Sequence, residues 1–375
     1  MAGLNLVFDG NYLFYKTLFA LGGYSKGRLL ESKQDQEMFI RKIATDMAYA
    51  VRAFGNPEKI ILTIDSKSWR KEVIIEDGAY KGHRKNDESA VDWDAFYKSM
   101  NEFAMVLENK GVIVSRIEKA EGDDLMFLWA KELNKEGKDA VIITGDKDLT
   151  QCVKLNNSPF GDSYTVVYNS NSKTRKLVVP TGFKDWLKED SIDIFDASSY
   201  MGRSKDLIQK ALTAIDILEI NPLYIIFEKV IAGDSGDAVP PLWTWQKGGK
   251  TYRVTPAKIV RIWEIMNANK TVTDVYDLED RLQELADAIT ATTKEVAPLE
   301  KLKENLERNI TLMYLDERVI PQSIQNTFAL EFEANKTAKE LSIKSFDMTS
   351  ILEGTRFLSS GKTFEADIFS QLGKI

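Results

Sequence analysis

The first 190 residues alternate short apolar segments with longer segments whose apolar residues recur at helical spacing. Alternation of this kind is typical of an α/β fold in which the strands form a central, mostly parallel sheet. Two later segments, YTVVYN (164–169) and KLVV (176–179), are expected to form an antiparallel pair at the edge of that sheet. The predicted strands are LNLVF (4–8), KIILTI (59–64), VIV (112–114) and AVIIT (140–144), and the helical segments between them are 35–54, 91–111 and 123–137.

After about residue 190 the pattern changes to one helical segment after another, beginning with NPLYIIFEKVIAG (221–233). A chain of 375 residues is long enough for two domains. We therefore predict an α/β domain over residues 1–190 and a mainly α-helical C-terminal domain over residues 191–375. The sequence indicates no role for the segments 192–220 and 270–305.

The cysteine and histidine counts restrict the chemistry of this chain. Its one cysteine, Cys152, excludes an internal disulfide framework, and its one histidine, His83, excludes HExxH sites and most zinc sites. A metal must therefore be held by oxygen, which points to magnesium, manganese or calcium. The N-terminus does not resemble a signal peptide, and no segment has the ~20 apolar residues that span a bilayer. We expect a cytoplasmic protein without a membrane partner.

Acidic residues follow each predicted strand of the parallel sheet. The strand ends read LVFDG, LTIDS and ITGDKDL, the helix after the third strand begins AEGDDL, and a later apolar helix ends in GDSGD. Ligands bind open α/β sheets at the carboxyl ends of the strands, where these residues converge. The candidate set is Asp9, Asp65, Glu121, Asp123, Asp124, Asp146, Asp148, Asp234 and Asp237.

Each of these acids has an ordinary explanation by itself, as a turn residue or as a complement to a helix dipole. Nine carboxylates in one crevice, however, would repel one another strongly unless cations neutralised them. Two divalent ions about 4 Å apart suit the hydrolysis of a phosphodiester. Setting these nine charges aside changes the net charge from −7 to +2, so the acidic total does not exclude a polyanionic substrate.

Residues 66–90 form a polar, basic segment with no clean period. Cations interleaved with aromatic side chains suit contacts with single-stranded nucleic acid, although a charged run is ordinarily a solvated loop. The position of the segment directly after Asp65 favours the functional interpretation. Its basic residues are Lys67, Arg70, Lys71, Lys81, Arg84 and Lys85, and its aromatic residues are Trp69 and Tyr80.

Taken in order, six motifs of this chain resemble those of the 5′-nuclease family, which includes flap endonucleases and 5′-3′ exonucleases. They are VFDGNYL, TIDSKSWRKE, YKGHRK, AEGDDL, ITGDKDL and GDSGDAVP, and they span residues 4 to about 240. The C-terminal half is more similar to the ribonucleases H of T-even-type bacteriophages, through RVTPAKIVRIWEIM and LKENLERNITLMYLDERVIP. A phage-infected bacterial host is the setting that this resemblance implies.

The resemblance implies a PIN-like α/β domain with a helical arch over about 66–90, and two magnesium ions, with manganese as a substitute. It implies 5′-3′ exonuclease and flap endonuclease activity on RNA or DNA 5′ ends at duplex junctions, with removal of RNA primers during replication. The more tightly held ion would belong to Asp9, Asp65, Glu121 and Asp123, the second to Asp146, Asp148, Asp234 and Asp237, and Asp124 would lie between the two sets.

Roles in substrate handling also follow from the resemblance. Lys81 and Arg84 match the basic pair of the arch that contacts the scissile phosphate. Tyr80 would stack on a base near the 5′ end, Arg70 matches a basic position at the foot of the arch, and Lys85 is counted with the substrate-binding residues. The expected substrates are 5′-flap DNA and RNA–DNA hybrids.

One segment departs from the family pattern. In most members the GDSGD acids lead into a glycine-rich helix–hairpin–helix that grips duplex DNA and binds potassium. This chain reads VPPLWTWQKGGKTYRVTPAKIVRIW instead, so we predict a modified motif and the potassium ion is in question. Trp243 and Trp245 either pack the enlarged loop, which is the preferred interpretation, or contact DNA.

The C-terminal residues place Phe364, Ile368, Phe369 and Leu372 at near-helical spacing. A terminal docking helix is the preferred interpretation, and a tail that binds a single-strand-binding protein or a sliding clamp is the alternative. We expect a monomer.

Three rival functions were weighed against the 5′-nuclease prediction. A PIN-type nuclease of single-stranded RNA shares the acids but lacks the YKGHRK and GDSGD segments. A catalytically inactive DNA-structure-binding protein would usually have lost some of the carboxylates. A magnesium-dependent phosphatase would not explain the basic segment.

Overall fold

The computed structural model describes residues 4–22, 27–54, 57–75, 78–82, 90–169, 176–190, 216–337 and 348–353. In chain order the strands are β1 (Leu4–Asp9), β2 (Lys59–Thr63), β3 (Ile74–Ile75), β4 (Gly78–Ala79), β5 (Ile113–Ser115), β6 (Asp139–Ile143), β7 (Lys154–Ser158), β8 (Gly161–Asn169), β9 (Lys176–Pro180), β10 (Asp216–Ile220), β11 (Thr244–Lys247) and β12 (Lys250–Arg253).

The helices begin where polar side chains can satisfy free backbone N–H groups. Ser32 and Asp92 accept from the backbone of the helices that follow them, and Pro222 and Pro256 occupy first-turn positions that need no N–H donor. The α-helices are α1 (Gly10–Leu21), α2 (Lys33–Ala53), α3 (Trp93–Asn109), α4 (Gly122–Lys135), α5 (Phe183–Asp190), α6 (Pro222–Ala232), α7 (Pro256–Asn269), α8 (Asp277–Asp280), α9 (Leu282–Thr293), α10 (Leu299–Met313), α11 (Gln322–Ala334) and α12 (Met348–Leu352).

The main sheet has the order β10-β9-β8-β6-β1-β2-β5, with β7 paired to β8. Its centre is parallel: Val7 of β1 is opposite Ile61 of β2 on one side and Ile142 of β6 on the other. The central strands are mostly apolar because helices cover both faces of the sheet. This arrangement confirms the predicted α/β class and the four parallel strands.

One detail of the predicted sheet is wrong. β8 and β9 pair in antiparallel fashion, as expected, but β9 is not at the edge. β10 pairs with β9 in parallel and takes the edge position. β10 is half polar, with the sequence DILEI, because an edge strand is only partly buried, and for that reason it did not stand out from the charged segment around it.

The C-terminal part of the described chain forms a second apolar core, and its later helices then pack against the cores of the main sheet. The second core spans Ile226 to Met313 in sequence and also contains Tyr80 from the basic segment. Phe328 and Phe332 of α11 then pack on Trp129 of α4, with ring centroids 5.3 Å apart in both pairs. The predicted division at residue 190 stays a prediction, and the described residues after 314 contribute to the cores on both faces of the sheet, through Phe328 and Phe332 on one face and Ile351 and Leu352 on the other.

The described portion of the predicted arch consists of a 3-10 turn at Trp69–Glu72 and the strand pair β3–β4. Residues 76–77 and 83–89 lie outside the described residues, as do 191–215 and the C-terminal segment 354–375. Among the helices that the structure describes, none is long and apolar enough to cross a membrane.

A two-stranded hairpin separates α6 from α7, at the place of the predicted modified helix–hairpin–helix. β11 and β12 are joined by Gly248 and Gly249, both at positive φ. Trp243 is buried and stacks on Trp245 with centroids 4.8 Å apart, so Trp243 packs the enlarged loop as preferred. Trp245 is only partly buried and also stacks on Tyr252 at 5.9 Å.

Candidate metal centre

The parallel strands bring the predicted acids to one edge of the sheet. Asp9, the last residue of β1, is opposite Thr63 of β2, and Asp65 follows two residues later. The start of α4 joins this edge because the N–H groups of Ser66 and Trp69 donate to the carbonyls of Ala120 and Lys119, both at 2.9 Å. The turn after β6 carries Asp146 and Asp148 to the same edge.

Asp9 is a buried carboxylate that also caps a helix. Its Oδ1 accepts from Tyr12 N at 2.8 Å, and its Oδ2 accepts from the Thr144 hydroxyl at 2.7 Å. Burial raises the pKa of Asp9 to about 7, and the charges of Asp65 and Asp146 act in the same direction. The two hydrogen bonds offset only part of this cost.

Asp65 is held by both neighbouring elements. Its Oδ2 accepts from Asn11 Nδ2 at 2.7 Å, and its Oδ1 accepts from Gly122 N at the start of α4 at 2.6 Å. A Cβ at Gly122 would lie 3.0 Å from that Oδ1, so a side chain there would push the carboxylate aside. Burial raises the pKa of Asp65, and the negative charge of Glu121 raises it further. The hydrogen bond from Gly122 N lowers it, but by less than burial raises it.

Asp123 belongs to the first group of acids, and Asp146 lies near both groups. Burial raises the pKa of Asp123 well above its usual value, and the next causes are the charges of Asp146 and Asp9. Asp146 is exposed, and its Oδ1 accepts from Asp148 N at 2.9 Å. A Cβ at Gly145 would lie 2.2 Å from the Tyr12 ring, which explains the glycine before these acids. The family resemblance assigns Asp146 to the second set, whereas its charge raises the pKa of acids in both sets, Asp9 and Asp148.

Asp148, Asp234 and Asp237 form a second group. One carboxylate oxygen from each lies within 4.8 Å of the others, close enough to hold one metal ion. The loop after α6 is fixed by the paired backbone of Asp234 and Val239, at 2.9 and 2.8 Å, and by Gly236 N, which donates to Asp234 Oδ1 at 2.8 Å. Sequence analysis assigned all three residues to one set, and the structure brings them together.

The donor set fits divalent cations that prefer oxygen. The side chains gathered here are carboxylates, and burial raises the pKa values of Asp9, Asp65, Asp123 and Asp148. Carboxylates that are costly to ionise near one another are stabilised as anions by a nearby cation. Hard oxygen ligands of this kind suit magnesium, manganese or calcium.

Asp124 does not lie between the two groups, as the sequence had suggested. It is completely buried, and its Oδ2 accepts from Trp69 Nε1 at 3.0 Å and from Glu121 N at 3.1 Å. Arg70 donates to both of its oxygens, at 2.7 and 3.1 Å. The structure therefore gives Asp124 a structural position behind the first group, and its role as a metal ligand stays a prediction.

Arg70 is also internal, with 2% of its surface exposed. Besides Asp124, its guanidinium donates to Glu121 Oε2 at 2.9 Å and to the Leu312 carbonyl at 3.0 Å. Burial opposes its charge, but Asp124 and Glu121 raise the pKa of Arg70 above its usual value. These contacts are structural, and the predicted substrate contact of Arg70 finds no support in them.

Tyr80 and Lys81 lie against the acids rather than free on an arch. The Tyr80 side chain is buried, and its hydroxyl lies 3.1 Å from Asp237 Oδ2 and 3.4 Å from Glu121 Oε2. Lys81 Nζ donates to Glu121 Oε1 at 2.6 Å and lies 3.9 Å from Asp237 Oδ2. Burial acts to raise the pKa of Glu121, but Lys81 and Arg70 hold it below its usual value.

These placements bear differently on the predicted substrate residues. In this conformation the Tyr80 ring is not presented for stacking on a base, and that role stays a prediction. Among the described cations of segment 66–90, Lys81 contacts Glu121 and Arg70 contacts Glu121 and Asp124. Arg84 and Lys85 lie outside the described residues.

Sequence analysis missed Lys229. This residue lies in the last turn of α6, and its ammonium contacts Asp148 Oδ2 and lies 3.3 Å from Asp234 Oδ2. A possible signal was a lysine five residues before Asp234, within the otherwise apolar helix LYIIFEKVIAG. Asn11 and Thr144, which orient Asp65 and Asp9, were missed for a different reason, because uncharged polar residues next to strands are common.

Comparison with known proteins finds similarity in the first half of the chain. The family model described as "5'-3' exonuclease, N-terminal resolvase-like domain" matches residues 5–183. "DNA polymerase I, thermostable" of Thermus thermophilus is 27% identical over 149 residues, which cover 40% of this chain and 16% of that protein. "Ribonuclease H" of Enterobacteria phage T4 is 32% identical over 105 residues, which cover 26% of this chain and 33% of that protein. The chain thus spans a third or less of the length of these curated relatives.

A solved structure of the T5 5′-exonuclease with divalent metal ions (zinc) covers 90% of this chain and 100% of its own. The sequence identity is 16% and the TM-score is 0.49.

Proposed function

This chain belongs to the 5′-nuclease family through residues 5–183, and from that premise we propose that it is a divalent-metal-dependent 5′-3′ exonuclease and flap endonuclease. The observation that carries the proposal is the position of Lys81. Its ammonium lies 2.6 Å from Glu121 and 3.9 Å from Asp237, one carboxylate from each acid group. A cation held between two acid groups is well placed to meet the phosphate of a substrate.

In this proposal the acids hold the metal ions, and the cations contact the phosphate or orient an acid. Asp9, Asp65, Glu121 and Asp123 would hold one magnesium ion, and Asp148, Asp234 and Asp237 would hold a second, with Asp146 between them. Bound divalent ions would activate the attacking water and offset charge on the phosphate. Lys81 would contact the scissile phosphate, and Arg70 would keep Glu121 oriented from behind. Manganese would substitute for magnesium because it accepts the same oxygen ligands.

The proposed substrates are 5′ ends of RNA or DNA at duplex junctions, including RNA primers. Exposed cations around the hairpin β11–β12 support a duplex contact by the C-terminal part. Lys250 and Arg253 are exposed there, and Lys258 Nζ lies 5.4 Å from the centroid of the Trp245 ring. A monomer and a cytoplasmic location belong to the same proposal. A C-terminal tail that binds a single-strand-binding protein or a sliding clamp stays the alternative to a docking helix, and the tail lies outside the described residues.

Cleavage of three end-labelled substrates, with magnesium and with EDTA, tests the proposal. The substrates are a 5′-flapped duplex, an RNA-primed duplex and a plain single strand. We expect magnesium-dependent cutting of the first two near the junction. Cutting of the single strand alone would instead indicate a PIN-type single-strand ribonuclease, and tight binding without cutting would indicate an inactive DNA-structure-binding protein.

A further inference from the structure

We propose that Lys229 is a built-in counter-ion of the second acid group, which weakens binding of a divalent ion there and must release Asp148 when the ion binds. The inference rests on the proposed function, because it takes Asp148, Asp234 and Asp237 as metal ligands. It concerns the affinity of one site and assigns Lys229 a positioning role.

The contacts of Lys229 are with the oxygens that a metal would use. Its ammonium contacts Asp148 Oδ2 and lies 3.3 Å from Asp234 Oδ2. One oxygen of each of these residues also lies within 4.8 Å of an Asp237 oxygen, in the cluster able to hold an ion. The lysine and a divalent ion therefore compete for the same carboxylates.

The fold holds the ammonium in that place. The side chain is 16% exposed, and α6 is anchored on both sides of it by the buried residues Phe227 and Val230. Gly233 N donates to the Lys229 carbonyl at 2.8 Å, which closes the helix at the loop carrying Asp234. The C-terminal end of a helix also favours a cation. The ammonium is thus directed at the acids by a rigid element.

The electrostatic consequence has a definite sign. Three carboxylates carry a charge of −3, and the Lys229 ammonium offsets one of these charges at contact distance, in addition to Lys81, whose ammonium lies 3.9 Å from Asp237 Oδ2. A divalent ion at these carboxylates gains less attraction and is repelled by the ammonium. The first group differs, since its cations Lys81 and Arg70 both contact Glu121, while Asp9, Asp65 and Asp123 accept no hydrogen bond from a lysine among the described residues.

Calorimetric titration of the full chain with manganese, in the absence of substrate, tests the inference. We expect two classes of site in the wild type. In Lys229→Met the weaker class should bind about tenfold more tightly, equivalent to about 1.4 kcal/mol, and the tighter class should change less than about twofold. Lys229→Arg keeps the charge and should bind as the wild type does. Lys135→Met, an exposed lysine of α4, controls for loss of one positive charge.

Thermal unfolding is a second readout, and it stays informative if Lys229→Met weakens the fold. Without metal, this variant leaves acids unpaired and should unfold at a lower temperature than the wild type. With saturating manganese its melting temperature should rise more than that of the wild type, because tighter binding to the folded state adds stability.

The outcomes separate the two proposals. Unchanged or weaker manganese binding at the weaker site of Lys229→Met, together with an equal rise in melting temperature, would overturn the role of Lys229 and leave the nuclease proposal intact. No manganese binding by the wild type would overturn both.

Discussion

Arg70 and Asp124 meet side by side in the interior: Nη2 donates to Oδ1 at 2.7 Å and Nη1 donates to Oδ2 at 3.1 Å. Two parallel hydrogen bonds of this kind fix the relative orientation of both planar groups. The same guanidinium donates to Glu121 at 2.9 Å and to the carbonyl of Leu312 at 3.0 Å. One arginine thus links the 3-10 turn after β2, the start of α4 and the end of α10.

We expect Arg70→Ala to destabilise the fold by about 3–5 kcal/mol, because it leaves the buried carboxylate of Asp124 without its cation. Urea unfolding followed by circular dichroism measures this change. Arg116→Ala, at an exposed arginine that donates to Asn101, should cost well under about 1 kcal/mol. Wild-type stability combined with lost substrate binding would instead support the substrate contact first predicted for Arg70.

Asp146→Asn is expected to reduce turnover by at least about 100-fold, since even groups that only support metal ligands cost 10–100-fold when changed. The negative charge of Asp146 raises the pKa of Asp9, Asp123 and Asp148, so loss of that charge affects both acid groups. Binding to a junction should remain within a few-fold of the wild type. Single-turnover cleavage measures the rate, and a binding titration in EDTA measures the affinity for the junction. Asp162→Asn, at an exposed aspartate of β8, is the matched control. A wild-type rate in Asp146→Asn would show that the two-metal assignment is wrong.

Lys81→Ala should slow cleavage far more than it weakens binding, because its ammonium lies at the acids and not on an outer surface. Lys81 also has φ of +56° and donates its N–H to the Asp237 carbonyl at 2.9 Å, so its backbone position is separately maintained. Lys71→Ala removes an exposed cation of the same segment and serves as the control. Equal losses of rate and affinity in Lys81→Ala would make it a general phosphate anchor.

The burial of Asp139 leads us to expect a pH dependence of stability that does not involve the two groups of acids at the candidate metal centre. It lies at the start of β6, where burial raises its pKa from 3.8 to about 7 despite a hydrogen bond from Tyr164 N at 3.1 Å. A raised pKa means that the folded state binds the proton more tightly. The stabilising contribution is present in full below about pH 4 and is lost as the pH rises through about 7.

Asp139→Asn mimics the protonated side chain and keeps an acceptor for Tyr164 N. We therefore expect this variant to melt at a higher temperature than the wild type at pH 8 and at nearly the same temperature at pH 4. Thermal unfolding in EDTA at both pH values makes the comparison without a contribution from metals. A melting temperature equal to that of the wild type at pH 8 would contradict the raised pKa.

Much of the fold could be predicted from local pattern. Strands such as β1 and β6 are short and largely apolar, and helices such as α2 and α3 carry a clear period, so neighbouring residues alone indicated these elements. The gathering of Asp9, Asp65, Asp123 and Asp146 also followed, because parallel strands end at one edge of a sheet. The family resemblance rested on the same short motifs.

Other features depend on contacts between residues far apart in the chain, which leave no local pattern. The family resemblance implies substrate contacts for Arg70 and Tyr80, whereas both side chains are buried, with Arg70 against the end of α10 and Tyr80 against the loop carrying Asp237. The return of α11 to α4 and the edge position of β10 belong to the same class of features.

What the sequence by itself determined is therefore which residue types are present and which local elements present them: carboxylates at strand ends, and cations in a loop and in a helix. Only the tertiary structure decided how charges pair. Asp124 is paired with Arg70, Glu121 with Lys81 and Asp148 with Lys229. The reason is physical, since the energy of a charge depends on its burial and on partners a few ångströms away in space, whatever their separation along the chain.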